Sequence, residues 1–186
     1  MVGTPIFDEL RDLFATSPSR FESQPRAAPA SHGVPKPPTK ILVTGGAGVG
    51  KTTFLGAVSD THPITVESAT DLGRITLNAD LVLYLFGTSE PGQPAFADAL
   101  GAVVLVDPRR IEAAFPAISF LESGSGIPFI VAVNMIDGAP AHELDEVREA
   151  LALHPRLPLL TCDARNPRSA TNVLQTLITY TLNFAP

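Results

Sequence analysis

The 186-residue chain carries a net charge of −6 with no basic cluster, which argues against a nucleic-acid backbone or an acidic lipid surface as its direct partner. Its length fits one ordinary globular domain plus a tail; its single cysteine, Cys162, excludes an internal disulfide framework and suits a reducing cytoplasm; its four histidines show no zinc-ligand spacing. No apolar stretch is long enough to cross a bilayer, and the opening residues lack the basic-then-apolar order of a secretory signal.

Residues 1–16 read as a short amphipathic helix. Thr4 can cap it, Pro5 suits its first position, and Ile6, Leu10, Leu13 and Phe14 share one face. Asp8, Glu9 and Asp12 on the other face make it a poor membrane anchor, so it is expected to dock on its own domain or on a partner protein, or simply to fray. Residues 17–39 fill with Pro, Ala and Ser and read as a flexible linker, and residues 40–186 form the domain proper.

The domain opens with an apolar run, Ile41 to Val43, followed by Gly45, four residues, then Gly50, Lys51 and Thr52. This is the spacing of a P-loop. Gly45, Gly46, Ala47, Gly48, Val49 and Gly50 keep bulky side chains off the turn, so consecutive N–H groups can face phosphate oxygens. Thr53 continues into a helix whose positive end adds to the effect. Lys51, one of three lysines, can reach the β- and γ-phosphates, and the Thr52 hydroxyl is placed to ligate magnesium. A glycine-rich turn that merely joins strand to helix is the plainer alternative; the strand–loop–helix context favours a bound nucleoside triphosphate.

Residues 60–72 read as a connection. Gly73 to Leu77 and Leu81 to Phe86 flank the turn-forming Asn78-Ala-Asp80 and predict an antiparallel hairpin. Ala102 to Val106 and Phe129 to Val133 are continuous apolar runs of the kind buried on both sheet faces, and Leu157 to Thr161 is a weaker strand. Helices are expected over Ile111 to Leu121, His142 to Leu153 and Ser169 to Asn183. This alternation predicts a three-layer α/β P-loop domain, with a mostly parallel sheet, one antiparallel hairpin strand, and the ligand at the carboxyl ends of the strands.

Two strand ends carry polar loops, Asn134-Met-Ile-Asp137 and Thr161-Cys-Asp-Ala-Arg165. An aspartate at the end of Asn-x-x-Asp can accept hydrogen bonds from the N1–H and exocyclic amine of guanine, whereas adenine would present it with a lone pair. Outside this context the same four residues make an ordinary polar turn.

These residues carry a resemblance to the small Ras-like GTPases, within them to the bacterial Mgl-type branch found with roadblock proteins in actinobacterial conservons, the CvnD- and MfpB-like group. It covers about residues 40–183. It is specific at Lys40-Ile-Leu-Val-Thr-Gly-Gly, Gly50-Lys-Thr-Thr-Phe, Asp71-Leu-Gly-Arg-Ile-Thr-Leu, Leu81-Val-Leu-Tyr-Leu-Phe-Gly-Thr, Gly101-Ala-Val-Val-Leu-Val-Asp, Val131-Ala-Val-Asn-Met-Ile-Asp and Cys162-Asp-Ala-Arg. The resemblance implies that Asn134 and Asp137 read guanine, with Met135 where relatives generally carry lysine. Asp163, Ala164 and Arg165 would form the second base-side loop, in which Ala164 offers its N–H to the guanine carbonyl. It further implies a cytoplasmic GTP/GDP switch with roadblock-type or pentapeptide-repeat protein partners.

The departures from that family are specific. The segment that supplies a magnesium-binding threonine in relatives is short here, leaving Thr65 as the metal residue expected beside Thr52, with Thr70 second. Relatives carry Gly-Thr-Pro-Gly-Gln, whereas Ser89 and Glu90 here separate Thr88 from Pro91-Gly92-Gln93, and the following helix is shortened to Pro94 through Leu100. Gln93 is the expected water-positioning residue; Glu90 could approach the metal through water. The reading is therefore a slow, partner-dependent GTPase switch. The alternative is an interaction module that holds GDP or GTP and hardly hydrolyses it, and an ATPase or kinase would leave the base-side loops without a purpose.

Overall fold

Residue-by-residue alternation in the apolar runs places successive side chains on opposite faces of a sheet, so runs such as Ala102–Val106 require cover on both faces. The structure, a computed structural model, describes residues 39–66, 70–78, 81–90, 98–139 and 142–183. The expected N-terminal helix, all of the linker but Thr39, and Gln93 lie outside the described residues.

Seven strands form one sheet: β1 (Thr39–Gly45), β2 (Ile64–Val66), β3 (Thr70–Thr76), β4 (Val82–Thr88), β5 (Ala99–Val106), β6 (Phe129–Asn134) and β7 (Leu159–Cys162). Their order is β2-β3-β4-β1-β5-β6-β7. The neighbours β4–β1–β5–β6–β7 pair in parallel, whereas β3 runs antiparallel to both β2 and β4. The helices are α1 (Lys51–Val58), α2 (Phe115–Glu122), α3 (Leu144–Ala150) and α4 (Pro167–Asn183). Period-two alternation separates the two cores. Ile41, Val43, Val103, Leu105 and Ile130 pack with residues of α1 and α4, and Leu42, Val104, Val106 and Val131 pack with residues of α2 and α3. This is the expected three-layer α/β fold with its mostly parallel sheet.

Several boundaries differ from the sequence reading, each for a local reason. The connection expected over 60–72 contains β2, whose Ile64, Thr65 and Val66 face Leu72, Asp71 and Thr70; all three β2 residues are exposed, so no buried alternation marks them. Asp60 latches this connection to β3 by giving its N–H to the Arg74 carbonyl and accepting the Thr76 N–H. The helix expected from Ile111 begins as a 3₁₀ turn over Ile111–Ala114, and α2 follows with a proline in its first turn, where a missing N–H costs nothing. The helix expected over His142–Leu153 is shorter. Glu143 and Glu146 form a capping box at its start, while Ala152 at φ +51° and Arg148, which donates to the His154 and Leu157 carbonyls, turn the chain out at its end. Ala99 and Leu100, expected to close a helix, instead open β5. No helix among the described residues is long and apolar enough to cross a membrane.

Candidate functional site

β1 ends at Gly45 and α1 begins at Lys51, so the intervening loop must reverse direction at the carboxyl edge of the sheet. Two glycines make this possible. Gly45 lies at φ +133°, where a Cβ would fall 2.2 Å from the Leu105 carbonyl oxygen; Gly50 lies at φ +102°, where a Cβ would fall 2.7 Å from Asn134 Nδ2. No side chain caps α1, which leaves its first N–H groups available to an anion. Lys51 Nζ donates to the carbonyls of Gly45 (3.1 Å) and Gly46 (2.8 Å), arching back over the loop. Burial pushes its pKa down, and the nearby Asp71 carboxylate opposes that shift.

A clamp that the sequence reading missed holds the loop from the β5 side. Asp107, 2% exposed, accepts from the Arg109 N–H (3.0 Å), Nε (2.9 Å) and Nη2 (2.9 Å), and from Arg110 Nη2 (3.4 Å). These bonds to Arg109 hold the carboxyl down at about 2. Arg110 Nη2 also donates to the Ala47 carbonyl at 2.9 Å, tying the end of β5 to the P-loop. Asp107-Pro-Arg-Arg immediately after a buried strand was the available signal.

On the base side, Asn134 is 5% exposed; its Nδ2 donates to the Val49 carbonyl (2.8 Å) and its Oδ1 accepts the Ala164 N–H (3.0 Å). It therefore staples the P-loop to the β7 loop. The Ala164 N–H, expected to face a base, is engaged by Asn134 in this arrangement. Met135 N–H donates to the Cys162 carbonyl at 2.6 Å, joining the two base-side loops. Arg165 grips Asp137 through both oxygens, at 2.5 and 3.1 Å, and also binds Asp163 through Nε at 3.0 Å. Its guanidinium draws both carboxyls below the usual carboxylate range and is itself stabilised as the cation. A groove of about 250 Å³ opens here, lined by Gly48, Thr53, Arg109, Met135, Asp137 and Arg165 among others.

On the opposite side of the P-loop, Thr52 Oγ1 donates to Asp71 Oδ2, and Thr65 Oγ1 donates to Asp71 Oδ1 at 2.8 Å. The structure thus brings the two expected metal residues to one carboxylate, which the sequence reading had left out of the site. Thr70, the second candidate, is buried in β3. The Glu90 N–H donates to Thr88 Oγ1 at 3.2 Å, just beyond the end of β4. Two hydroxyls and one carboxylate are hard oxygen donors of the type magnesium takes.

No family model matches the chain, and no curated protein matches it. Solved structures do. Era of Aquifex aeolicus bound to GDP·AlF4⁻ is similar at 18% identity and TM-score 0.55, over 76% of this chain and 56% of that one. The cytosolic domain of L. pneumophila FeoB is similar at 16% identity and TM-score 0.58, over 77% of this chain and 64% of that one. The FeoB G-domain from Methanococcus jannaschii, at 15% identity and TM-score 0.53, is covered over 98% of its length by 78% of this chain. The chain therefore spans little more than half of Era but nearly the whole of an isolated G-domain. What it shares with these proteins is the three-layer fold of P-loop GTPase domains.

Proposed function

We propose that this chain is a cytoplasmic guanine-nucleotide-binding switch that hydrolyses GTP slowly and relies on a partner protein for speed. The observation that carries this reading is the Asn134 staple, which fixes the P-loop and the base-side loops to one another across the mouth of one groove. Phosphates would lie against the N–H groups from Gly45 to Thr53, with Lys51 exchanging the carbonyls of Gly45 and Gly46 for phosphate oxygens. Thr52, with Thr65, would hold magnesium. When bound, that ion supplies charge neutralisation at the β- and γ-phosphate oxygens.

Asp137 remains ionised beside Arg165, and an ionised carboxylate offers about four lone-pair sites, so it can hold Arg165 and still accept from guanine N1–H and its amine. Adenine has no N1–H to give. That the similar structures include Era bound to GDP·AlF4⁻ and the cytosolic domain of T. maritima FeoB in a GDP form supports the same base class. Gln93 is the residue we assign to orienting water, and roadblock-type or pentapeptide-repeat proteins are the partners that the Mgl-type resemblance suggests. The second reading, a nucleotide-holding module that scarcely turns over, is favoured by the place of Thr65, which sits within a paired strand with its hydroxyl on Asp71.

The test is nucleotide identity and base choice. Chromatography of the denatured protein is expected to release GDP or GTP, and titration is expected to show guanine preferred over adenine. Asp137→Asn is expected to lower GTP affinity and raise xanthosine triphosphate affinity, each by about tenfold or more, because asparagine can donate to the carbonyl that replaces the amine. Equal affinity for ATP and GTP in the parent would refute the base assignment.

A further inference from the structure

P-loop hydrolases hold magnesium between the P-loop Ser or Thr and an aspartate supplied elsewhere in the fold. In this chain β4 is the strand beside β1 that reaches the P-loop, with Val43 facing Gly87 and Thr44 facing Thr88. β4 reads Val-Leu-Tyr-Leu-Phe-Gly-Thr and carries no carboxylate. At its exit, where a side chain would lean toward α1, it has Gly87: a Cβ there would meet Leu55 Cδ2 of α1 at 3.3 Å and Asp71 Cβ at 3.4 Å.

Asp71 is the residue directly opposite Gly87 in the antiparallel β3–β4 pair. Opposed residues of an antiparallel pair project from the same face of the sheet. Asp71 therefore occupies the face that Gly87 leaves open, and its two oxygens already receive the hydroxyls of Thr52 and Thr65. Thr65 is in turn the register partner of Asp71 in the β2–β3 pair, so three adjacent strands converge on one carboxylate. Lys51, on the phosphate side, feels its charge.

We infer that Asp71, delivered from β3 across Gly87, is the carboxylate of the magnesium site. The assignment rests on the nucleotide reading above. It also explains how a shortened segment after α1 can still serve the metal: the ligand-bearing residues are strand neighbours, so no long loop is needed to bring them in.

The experiment is a magnesium titration of methylanthraniloyl-GDP binding by the full chain, with EDTA as the metal-free reference. Asp71→Asn preserves size while removing the charge. It is expected to raise the magnesium concentration for half-maximal enhancement by about 10- to 100-fold, while affinity in EDTA stays that of the parent. A residue serving only to hold β3 would lower affinity equally with and without metal. Should Asp71→Asn fail to fold, Asp71→Ser, which keeps a small polar group in the strand, is titrated in the same way. An unchanged magnesium midpoint, or equal losses with and without metal, overturns the assignment and leaves guanine-nucleotide binding standing. Failure of the parent to bind the probe with or without magnesium overturns both.

Discussion

The two sides of the P-loop are built differently. Toward the proposed base side, the loop is fastened through two buried residues: Asn134, which bridges Val49 and Ala164, and Asp107, which anchors the exposed Arg110 as its guanidinium reaches the Ala47 carbonyl. Toward the proposed metal side, the exposed Thr52 hydroxyl of α1 meets the antiparallel flap at one margin of the sheet, where the exposed Thr65 and the half-buried Asp71 lie. A buried hydrogen bond that loses one partner leaves the other paying its desolvation, about 1–3 kcal/mol, whereas an exposed one is replaced by water at little cost. On the proposed reading, nucleotide grip would therefore be part of the domain's own stability. The region that would distinguish triphosphate from diphosphate can be altered almost independently of it.

Four variants, and the turnover of the parent, can break or sharpen that contrast. The largest effect is expected from Lys51→Ala, which removes the cation bonded to Gly45 and Gly46; GTP affinity by calorimetry should fall by about 100-fold in a protein that still folds. Asn134→Ala should lower unfolding stability by about 2–3 kcal/mol in denaturant titration, because the Val49 carbonyl and the Ala164 N–H lose their shared buried partner. A loss no greater than that of an exposed contact would remove the distinction between the two sides.

Asp107 provides a pH-dependent version of the same test. Its carboxyl is depressed to about 2 in the fold, so its contribution is complete above its unfolded value near 4 and is lost as pH falls through 2. The stability gap between the parent and Asp107→Asn should accordingly shrink by about 2 kcal/mol between pH 5 and pH 2. Smallest of all, Thr65→Val should change stability by less than about 0.5 kcal/mol, as a surface substitution does. Its effect belongs instead to turnover, which in single-turnover phosphate release from the parent should already be as slow as about 10⁻⁴ s⁻¹. A parent rate near 1 s⁻¹ would remove the impaired-switch reading.

The parallel half of the fold was legible because its strands are buried on both faces, and burial writes itself into composition: Ala102–Val106 and Phe129–Val133 need no partner to be recognised. The P-loop was legible from spacing alone, since Gly45, Gly46 and Gly50 sit where a Cβ would fall within 3 Å of a neighbouring atom. The flap was not. β2 has no buried face, and the place of Asp71 depends on its register against Gly87, a relation between strands that no local pattern records. Arg110 and Ala47, 63 residues apart, meet only once β1 and β5 have paired side by side.

Cys162 gives this architecture a built-in clock. The chain's one thiol ends β7, is 1% exposed, and is pushed up to about 11 by burial, so at neutral pH it is held in the unreactive thiol form even before access is considered. The side chain packs in the core with Ala164 and with Ala170 and Leu174 of α4, so a thiol reagent must wait for the corner between β7 and α4 to open, and the labelling rate follows how often and how long it does so. A nucleotide seated against Ala164, as proposed, would hold that corner closed and would be readable as a delay in the chemistry of a single sulfur atom.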